Sequence, residues 1–237
     1  MEENGIIPDE LDSACRQHAP MAVYLIPTFH NPSTATMPLS RRKEVAEIVR
    51  RHEVLLFEDD AYGQLEPNAV PLASLVPERT YFAASLSKCI APGLRVSLLL
   101  TPDQASAEVL VSALRASVQM PAFLMVALVT RWLQDGSAEA IIGAILNESS
   151  ARQKLAANVL VQHAYSRHPN GHHIWVPLPR NWAKRSSRRM FKGKGWLSLR
   201  QNYSASGKAR LTRSEFRLVP RAAAPNWSGR WSSLRLH

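Results

Sequence analysis

Apolar residues fall in short runs through the first hundred positions, and polar or amphipathic stretches separate the runs. Ala22-Val23-Tyr24-Leu25-Ile26 closes at Pro27, and Val54-Leu55-Leu56-Phe57 ends in Glu58-Asp59-Asp60. Tyr81-Phe82-Ala83-Ala84 leads into Ser85-Leu86-Ser87, and Val96–Leu100 completes the set. Short uninterrupted runs between breakers are the pattern of strands covered on both faces. Between the first two, Ser40–Arg51 puts Val45, Ile48 and Val49 on one side of a helix, with Ser40 available to cap its start. On that helix Arg41-Arg42-Lys43 and Arg50-Arg51 read as the solvated face. Repeated strand–helix–strand spacing predicts an α/β layer with a mainly parallel sheet.

Beyond residue 102 the period becomes helical. Asp103–Val118 is rich in Ala and Leu, Pro121 opens a second apolar helix through Leu133, and Ala138–Tyr165 is a long third, weakened in its middle by Gly143. Asp135-Gly136-Ser137 breaks the last two apart. Pro169-Asn170-Gly171 is a turn, and His173-Ile174-Trp175-Val176 starts a strand. After Pro179 no period of 2 or 3.6 is sustained.

Charge divides the chain at the same place. Residues 1–179 hold 14 Lys+Arg against 18 Asp+Glu, whereas 180–237 hold 15 Lys+Arg against a single acid, Glu215. The net charge of +10 over 237 residues therefore belongs to the last quarter, where Trp182, Trp196, Trp227 and Trp231 also lie. Two cysteines, Cys15 and Cys89, make neither a disulfide framework nor a zinc site. His172-His173 is a weak metal signal, since no acidic or Cys partner stands at ligand spacing. No apolar run approaches the roughly 20 residues of a membrane span, and Glu2-Glu3 does not open a secretory leader. A cytoplasmic location is the expectation.

Three strand ends carry polar groups: Asn31 after the first, Asp59-Asp60-Ala61-Tyr62 after the second, and Ser85-Leu86-Ser87-Lys88 after the third, with Arg95 seven residues on. Ligands of open α/β sheets bind beyond the carboxyl ends of the strands. An amine, a carboxylate, a phenol, an amide, hydroxyls and a guanidinium gathered there suit an aromatic aldehyde with a phosphate tail. The amine bonds the aldehyde, the carboxylate keeps a pyridine nitrogen protonated, and hydroxyls with an arginine fork hold phosphate.

The segment Ser85-Leu86-Ser87-Lys88-Cys89-Ile90-Ala91-Pro92-Gly93-Leu94-Arg95 resembles the lysine motif of class I/II aminotransferases, pyridoxal-phosphate enzymes of fold type I. His30-Asn31-Pro32 with Met37 resembles their asparagine motif, and Phe57-Glu58-Asp59-Asp60-Ala61-Tyr62-Gly63 their acidic and tyrosine motif. His168-Pro169-Asn170-Gly171 with Ile174-Trp175 and Leu178-Pro179 resembles the entry to their small domain. The wording is closest to the aminotransferase-like domain of MocR-type regulators in the GntR group. The resemblance implies a partial fold-type-I large domain over 1–166, the start of a small domain over 167–179 and an irregular basic tail over 180–237. It implies pyridoxal 5'-phosphate as cofactor, joined to Lys88 as a Schiff base. Asp59 would pair with the ring nitrogen, Tyr62 and Asn31 with the phenolic oxygen, and Ser85, Ser87 and Arg95 with phosphate. A register error of one would exchange Asp59 and Asp60. Amino acid and 2-oxo acid substrates and a homodimer in the intact form follow from the same likeness, with a regulatory effector module as the alternative.

The likeness begins at about residue 4 with a segment that lies mid-domain in the family and stops at about 179, so an N-terminally truncated fragment with little activity alone is expected. For the tail two explanations stand. Arg, Lys and Trp suit nucleic-acid phosphates and bases; a change of reading frame near residue 180 explains the same composition, and is favoured by the abrupt loss of pattern. Translation of the coding DNA in the other two frames is expected to recover an aminotransferase-like continuation after residue 179; none in either frame ends the frame-change reading.

Overall fold

A computed structural model describes residues 3–161 and 164–177, together with the main chain of 213–217. Strands β1 (Ala22–Leu25), β2 (Leu55–Asp59), β3 (Thr80–Ser85) and β4 (Ser97–Leu100) form one sheet in the order β1-β2-β3-β4. β1, β2 and β3 run parallel, and β4 returns antiparallel to β3. The sheet is thus mainly parallel, as its apolar runs predict. The antiparallel return matters for the site, because the whole lysine motif becomes the connection between β3 and β4.

Helices α1 (Pro8–His18) and α2 (Leu39–Arg51) cover one face. Leu25 and Leu56 on that face join Val45, Ile48 and Val49 of α2, Leu11 and Cys15 of α1, and Leu72 and Val76 from the segment between β2 and β3. The opposite face carries Tyr24, Phe57, Tyr81 and Leu99. There Phe57 stacks on Tyr81 at 4.9 Å between ring centroids, yet Tyr24 and Phe57 remain 60% and 41% exposed. A sheet face of this composition is normally covered.

Helices α3 (Gln104–Ser117), α4 (Phe123–Gln134) and α5 (Ser137–Val159) follow. Asp103 caps α3 by accepting from Ser106 N–H at 2.7 Å. Gly136, at φ 81°, turns the chain between α4 and α5 in the left-handed conformation that a side chain disfavours. Val129 of α4 and Ala138 and Ile142 of α5 enclose a second core with Phe29, Tyr62, Leu65, Leu86 and Cys89. A smaller antiparallel sheet, β5 (Ser166–Arg167), β6 (His173–Pro177) and β7 (Arg213–Arg217), completes the described chain. β7 lies within the basic segment, whose five-residue strand is too short to register as a period; the rest of 180–237 lies outside the described residues.

Several expectations are corrected. The apolar pattern does not predict α1, although Pro8 at its start, Asp9 and Glu10 in its first turn and Arg16 and His18 in its last are start and stop signals. Ser40 does not cap α2: the cap position is Pro38, and Ser40 lies inside the helix. α5 ends at Val159, short of Tyr165. Most consequential, Arg42 is not on a solvated face. Its side chain is 1% exposed, and it donates to the carbonyls of Met37, Pro27 and Val70 at 2.8, 3.0 and 3.0 Å and to Thr28 Oγ1 at 3.0 Å. Glu58 on β2 lies 4.0 Å from the guanidinium and accepts from Leu72 and Ala73 N–H at 2.9 and 2.7 Å.

Removing one member of a buried ion pair typically costs about 3–5 kcal/mol, because the other charge is left uncompensated. Arg42→Ala is expected to destabilise the chain by about that amount in urea denaturation followed by circular dichroism, while Lys43→Ala, one position on and less buried, stays within about 0.5 kcal/mol of the parent. Equal midpoints for the two variants would refute the assignment.

Candidate active site

Parallel pairing brings the chemical groups to one end of the sheet. Asp59, the last residue of β2, is in register with Ala83 of β3, and Asp60 N–H donates to Ala83 O at 2.8 Å. Ser85 ends β3 two residues further on, on the same face as Asp59, and Lys88 follows in the turn beyond it. The loop from β1 to α2 carries Asn31, joined to Pro32 by a cis peptide bond. That loop is cross-tied: Met37 N–H donates to Pro27 O and His30 N–H to Ala35 O, both at 2.8 Å, and Phe29 N–H to Thr36 Oγ1 at 3.2 Å.

Adjacent Asp59 and Asp60 have different surroundings. Asp60 is buried, its carboxylate packed so closely on Gly63 that a Cβ there would sit 1.8 Å from Oδ2. No side chain larger than hydrogen fits at residue 63 without moving Asp60. Asp59 is half-buried and faces the less covered side of the sheet. Its Oδ1 accepts from Ala61 N–H at 3.2 Å, and its Oδ2 accepts from the Tyr24 hydroxyl at 2.5 Å. Partial desolvation of the hydroxyl and the neighbouring carboxylate push the Tyr24 phenol well above its usual range, so it stays a donor.

Tyr62 is buried among rings. Phe29 and His172 lie 6.2 Å from it and His173 lies 6.0 Å away, centroid to centroid. The lysine loop is fixed at several points. Ser85 Oγ accepts from Ser87 N–H at 3.3 Å, Leu86 N–H donates to Val96 O at 3.3 Å, and His172 bonds the Lys88 carbonyl at 2.8 Å. Cys89 is fully buried, donates to Ser85 O at 3.3 Å, and has its thiol pushed up to about 12 by burial. Arg95, exposed and at φ 53°, stands at the far end of the loop before β4. The structure therefore gathers Asp59, Tyr62, Ser85, Ser87 and Lys88 around the ends of β2 and β3, ties the Asn31 loop to Tyr62 through Phe29, and leaves Arg95 at the loop's outer edge.

Three residues of this region carry no functional assignment in the sequence. The apolar pattern marks Tyr24 only as a strand residue, although parity of the register places it diagonally beside Asp59. Gln153 sits mid-helix with nothing to mark it. His172 is half of the weak metal signal; among the described residues no cluster of His, Cys, Asp and Glu could hold a metal ion, and His172 instead grips the lysine loop.

Residues 4–165 match the family model of class I and II aminotransferases, and the chain belongs to that family. The family's cofactor is pyridoxal phosphate. The solved α-aminoadipate aminotransferase LysN of Thermus thermophilus, complexed with N-(5'-phosphopyridoxyl)-L-leucine, superposes with a TM-score of 0.80 at 25% identity over 92% of this chain and 58% of that one. Among sequences, the uncharacterized HTH-type transcriptional regulator YdeF of Bacillus subtilis is 29% identical over 179 residues, which are 75% of this chain and 38% of that protein. The 2-aminoadipate transaminase of Thermus thermophilus is 29% identical over 189 residues, 75% of this chain and 47% of that one. The chain thus spans less than half the length of these two sequence relatives. No helix among the described residues is long and apolar enough to cross a membrane.

His168 packs on Phe29 at 4.2 Å between centroids, the rings tilted by 36°, and burial pushes its pKa down to about 4. Glu66 lies 3.6 Å from its Nε2, beyond hydrogen-bond distance, and does not offset that burial. The folded state then binds fewer protons than the unfolded chain between pH 4 and the ordinary 6.5. Its contribution to stability is full above 6.5 and is lost as the pH falls through that window. Urea midpoints measured from pH 7 to pH 4 are expected to fall, and to fall less steeply in His168→Gln; identical slopes would refute this origin.

Proposed function

We propose that this chain is the catalytic part of a pyridoxal-phosphate aminotransferase that moves an amino group between an amino acid and a 2-oxo acid. The observation that carries the reading is the juxtaposition of Asp59 and the Lys88 loop at the carboxyl ends of β2 and β3, with the neighbouring carboxylate of Asp60 turned away into the Gly63 turn. The donor set fits the cofactor: a half-buried carboxylate for a ring N–H, a phenol and an amide for a phenolate, and a lysine for an aldehyde. Lys88, Asp59, Tyr62, Asn31, Ser85, Ser87 and Arg95 would hold it. When bound, the group supplies an electron-withdrawing ring that stabilises negative charge at the substrate's α-carbon.

This chain's residues then have distinct tasks. The Lys88 amine would take the proton from the substrate's α-carbon and deliver it to the carbon that carried the cofactor's aldehyde. A positioned base of this kind typically contributes 10²–10⁴-fold. Asp59 accepts from the protonated ring nitrogen and keeps it charged. Tyr62 and Asn31 donate to the phenolic oxygen. Ser85, Ser87 and Arg95 bind phosphate, an arginine fork being the strongest single contact of this type. A homodimer in the intact protein, a cytoplasmic setting, and the division into 1–166, 167–179 and 180–237 belong to the same proposal.

A second reading has its own support. The regulators YdeF and YisV of Bacillus subtilis and YjiR of Escherichia coli, each named as an HTH-type transcriptional regulator, share 29%, 27% and 37% identity with this chain over 179, 190 and 98 residues. The same site would there serve as an effector module that binds an amino acid without turnover.

Reductive trapping tests both readings. The purified chain is incubated with pyridoxal phosphate, reduced with borohydride and mapped by peptide mass spectrometry. A pyridoxyl mass is expected on Lys88 and is lost in Lys88→Ala, whose exchange of the substrate α-proton with solvent falls roughly 10²–10⁴-fold. Labelling spread equally over Lys43 and Lys154 would refute the cofactor site. Amino acid that suppresses the Lys88 label with release of 2-oxo acid marks a transaminase; suppression without release marks the effector module.

A further inference from the structure

Helix α5 presents Ser149 and Gln153, one turn apart, to the turn that opens β6. Gln153 is fully buried. Its amide nitrogen lies 2.8 Å from Gly171 O and 3.1 Å from His173 O. Both partners are carbonyls and can only accept, so the nitrogen faces them and directs one N–H at each. The two main-chain groups flanking His172 are thereby clamped. A Cβ at Gly171 would stand 3.3 Å from His168 O, so a side chain there would press on the turn that His172 follows.

With its flanks held, the His172 ring is held as well. Its Nε2 lies 2.8 Å from Lys88 O and its Nδ1 lies 2.9 Å from Ser149 Oγ. The Lys88 carbonyl only accepts, so Nε2 carries the hydrogen. In the neutral ring Nδ1 is then the acceptor, and the buried Ser149 hydroxyl donates to it. The Tyr62 ring lies 6.2 Å from the same ring, centroid to centroid, and is tilted to it by 57°.

We propose that His172 is a positioning residue for Lys88: the Ser149–His172 pair, clamped by Gln153, fixes the main chain of the lysine from the turn before β6, 84 residues away in sequence. The inference rests on the reading of Lys88 as the cofactor-bonding lysine. A lysine amine at the end of four rotatable bonds can be aimed only as well as its own backbone is held. The turn that carries Lys88 uses Leu86 O for Ile90 and Ala91 N–H and Ser85 O for the Cys89 thiol. The Lys88 carbonyl is bonded from outside the loop, by His172. The lysine's aim therefore depends on where β6 and α5 sit.

Two readouts on the full chain test this. The first is the pyridoxyl label at Lys88, relative to Lys43 and Lys154, across a pyridoxal phosphate titration. Loss of one such hydrogen bond corresponds to about a tenfold higher half-saturating concentration in His172→Ala. Ser149→Ala, which frees the ring to take the other tautomer, should give a smaller shift in the same direction. His172→Gln, whose amide can still donate to Lys88 O, should regain most of the parent labelling. The second readout is hydrogen exchange of the peptide spanning 85–95, without cofactor, where His172→Ala should exchange faster and His172→Gln like the parent. Parent-like labelling in His172→Ala, or equal losses in His172→Ala and His172→Gln with both folded by circular dichroism, would overturn the proposal. If His172→Ala does not fold, Ser149→Ala and His172→Gln decide: no shift in the first, or no label in the second, overturns it. A parent chain without selective Lys88 labelling instead defeats the cofactor reading; unchanged exchange of 85–95 then also defeats the loop-holding role.

Discussion

The arrangement of the large sheet depends on one buried guanidinium. Arg42 projects from the first turn of α2 into the seam between that helix, the loop after β1 and the segment after β2. A planar group with five N–H donors can satisfy several carbonyls at once, and Arg42 does so for Pro27, Met37 and Val70 while bonding Thr28. Pro27 and Met37 bracket the loop that carries Asn31. Glu58 answers the charge from β2, one residue before Asp59. Desolvation works against this pair: burial pushes the Glu58 carboxyl up to about 7, against the backbone donors and the guanidinium that favour its charged form. A pair formed against such a penalty is weak evidence for net stability. It is good evidence for specificity of arrangement, because few other packings would satisfy so many acceptors together.

Three consecutive acids show how strongly location decides chemistry. Glu58 faces the covered side of the sheet and ties β2 to Leu72 and Ala73. Asp59 faces the other side, half-open, and takes the Tyr24 hydroxyl. Asp60, past the strand end, folds into the Gly63 turn. Alternation along a strand assigns the first two to opposite faces. The tight turn removes the third, so one carboxylate remains to meet a ligand.

Much of this was legible in the linear pattern. The four strand runs, α2, α3, α4 and the start of α5 were marked by apolar spacing and breakers, and the positions of Asn31, Asp59, Tyr62 and Lys88 at strand ends followed. What escaped was of two kinds. α1 carries polar residues on most of its faces, with only Leu11 and Cys15 buried, so its weak period hid behind clear end signals. Arg42, Gln153 and His172 escaped for a deeper reason. Local pattern cannot tell a long polar side chain that points outward from one that finds distant carbonyls. Arg42 shares its tripeptide with Arg41 and Lys43, and only the tertiary position of Pro27 and Val70 separates them.

Cys89, beside the candidate catalytic lysine, turns the loop into its own clock. Its thiol is sealed from solvent and its ionisation suppressed, so alkylating agents and peroxide must wait for the segment to open before they can attack. The chemical lifetime of that sulfur therefore reports how often the segment beside Lys88 opens.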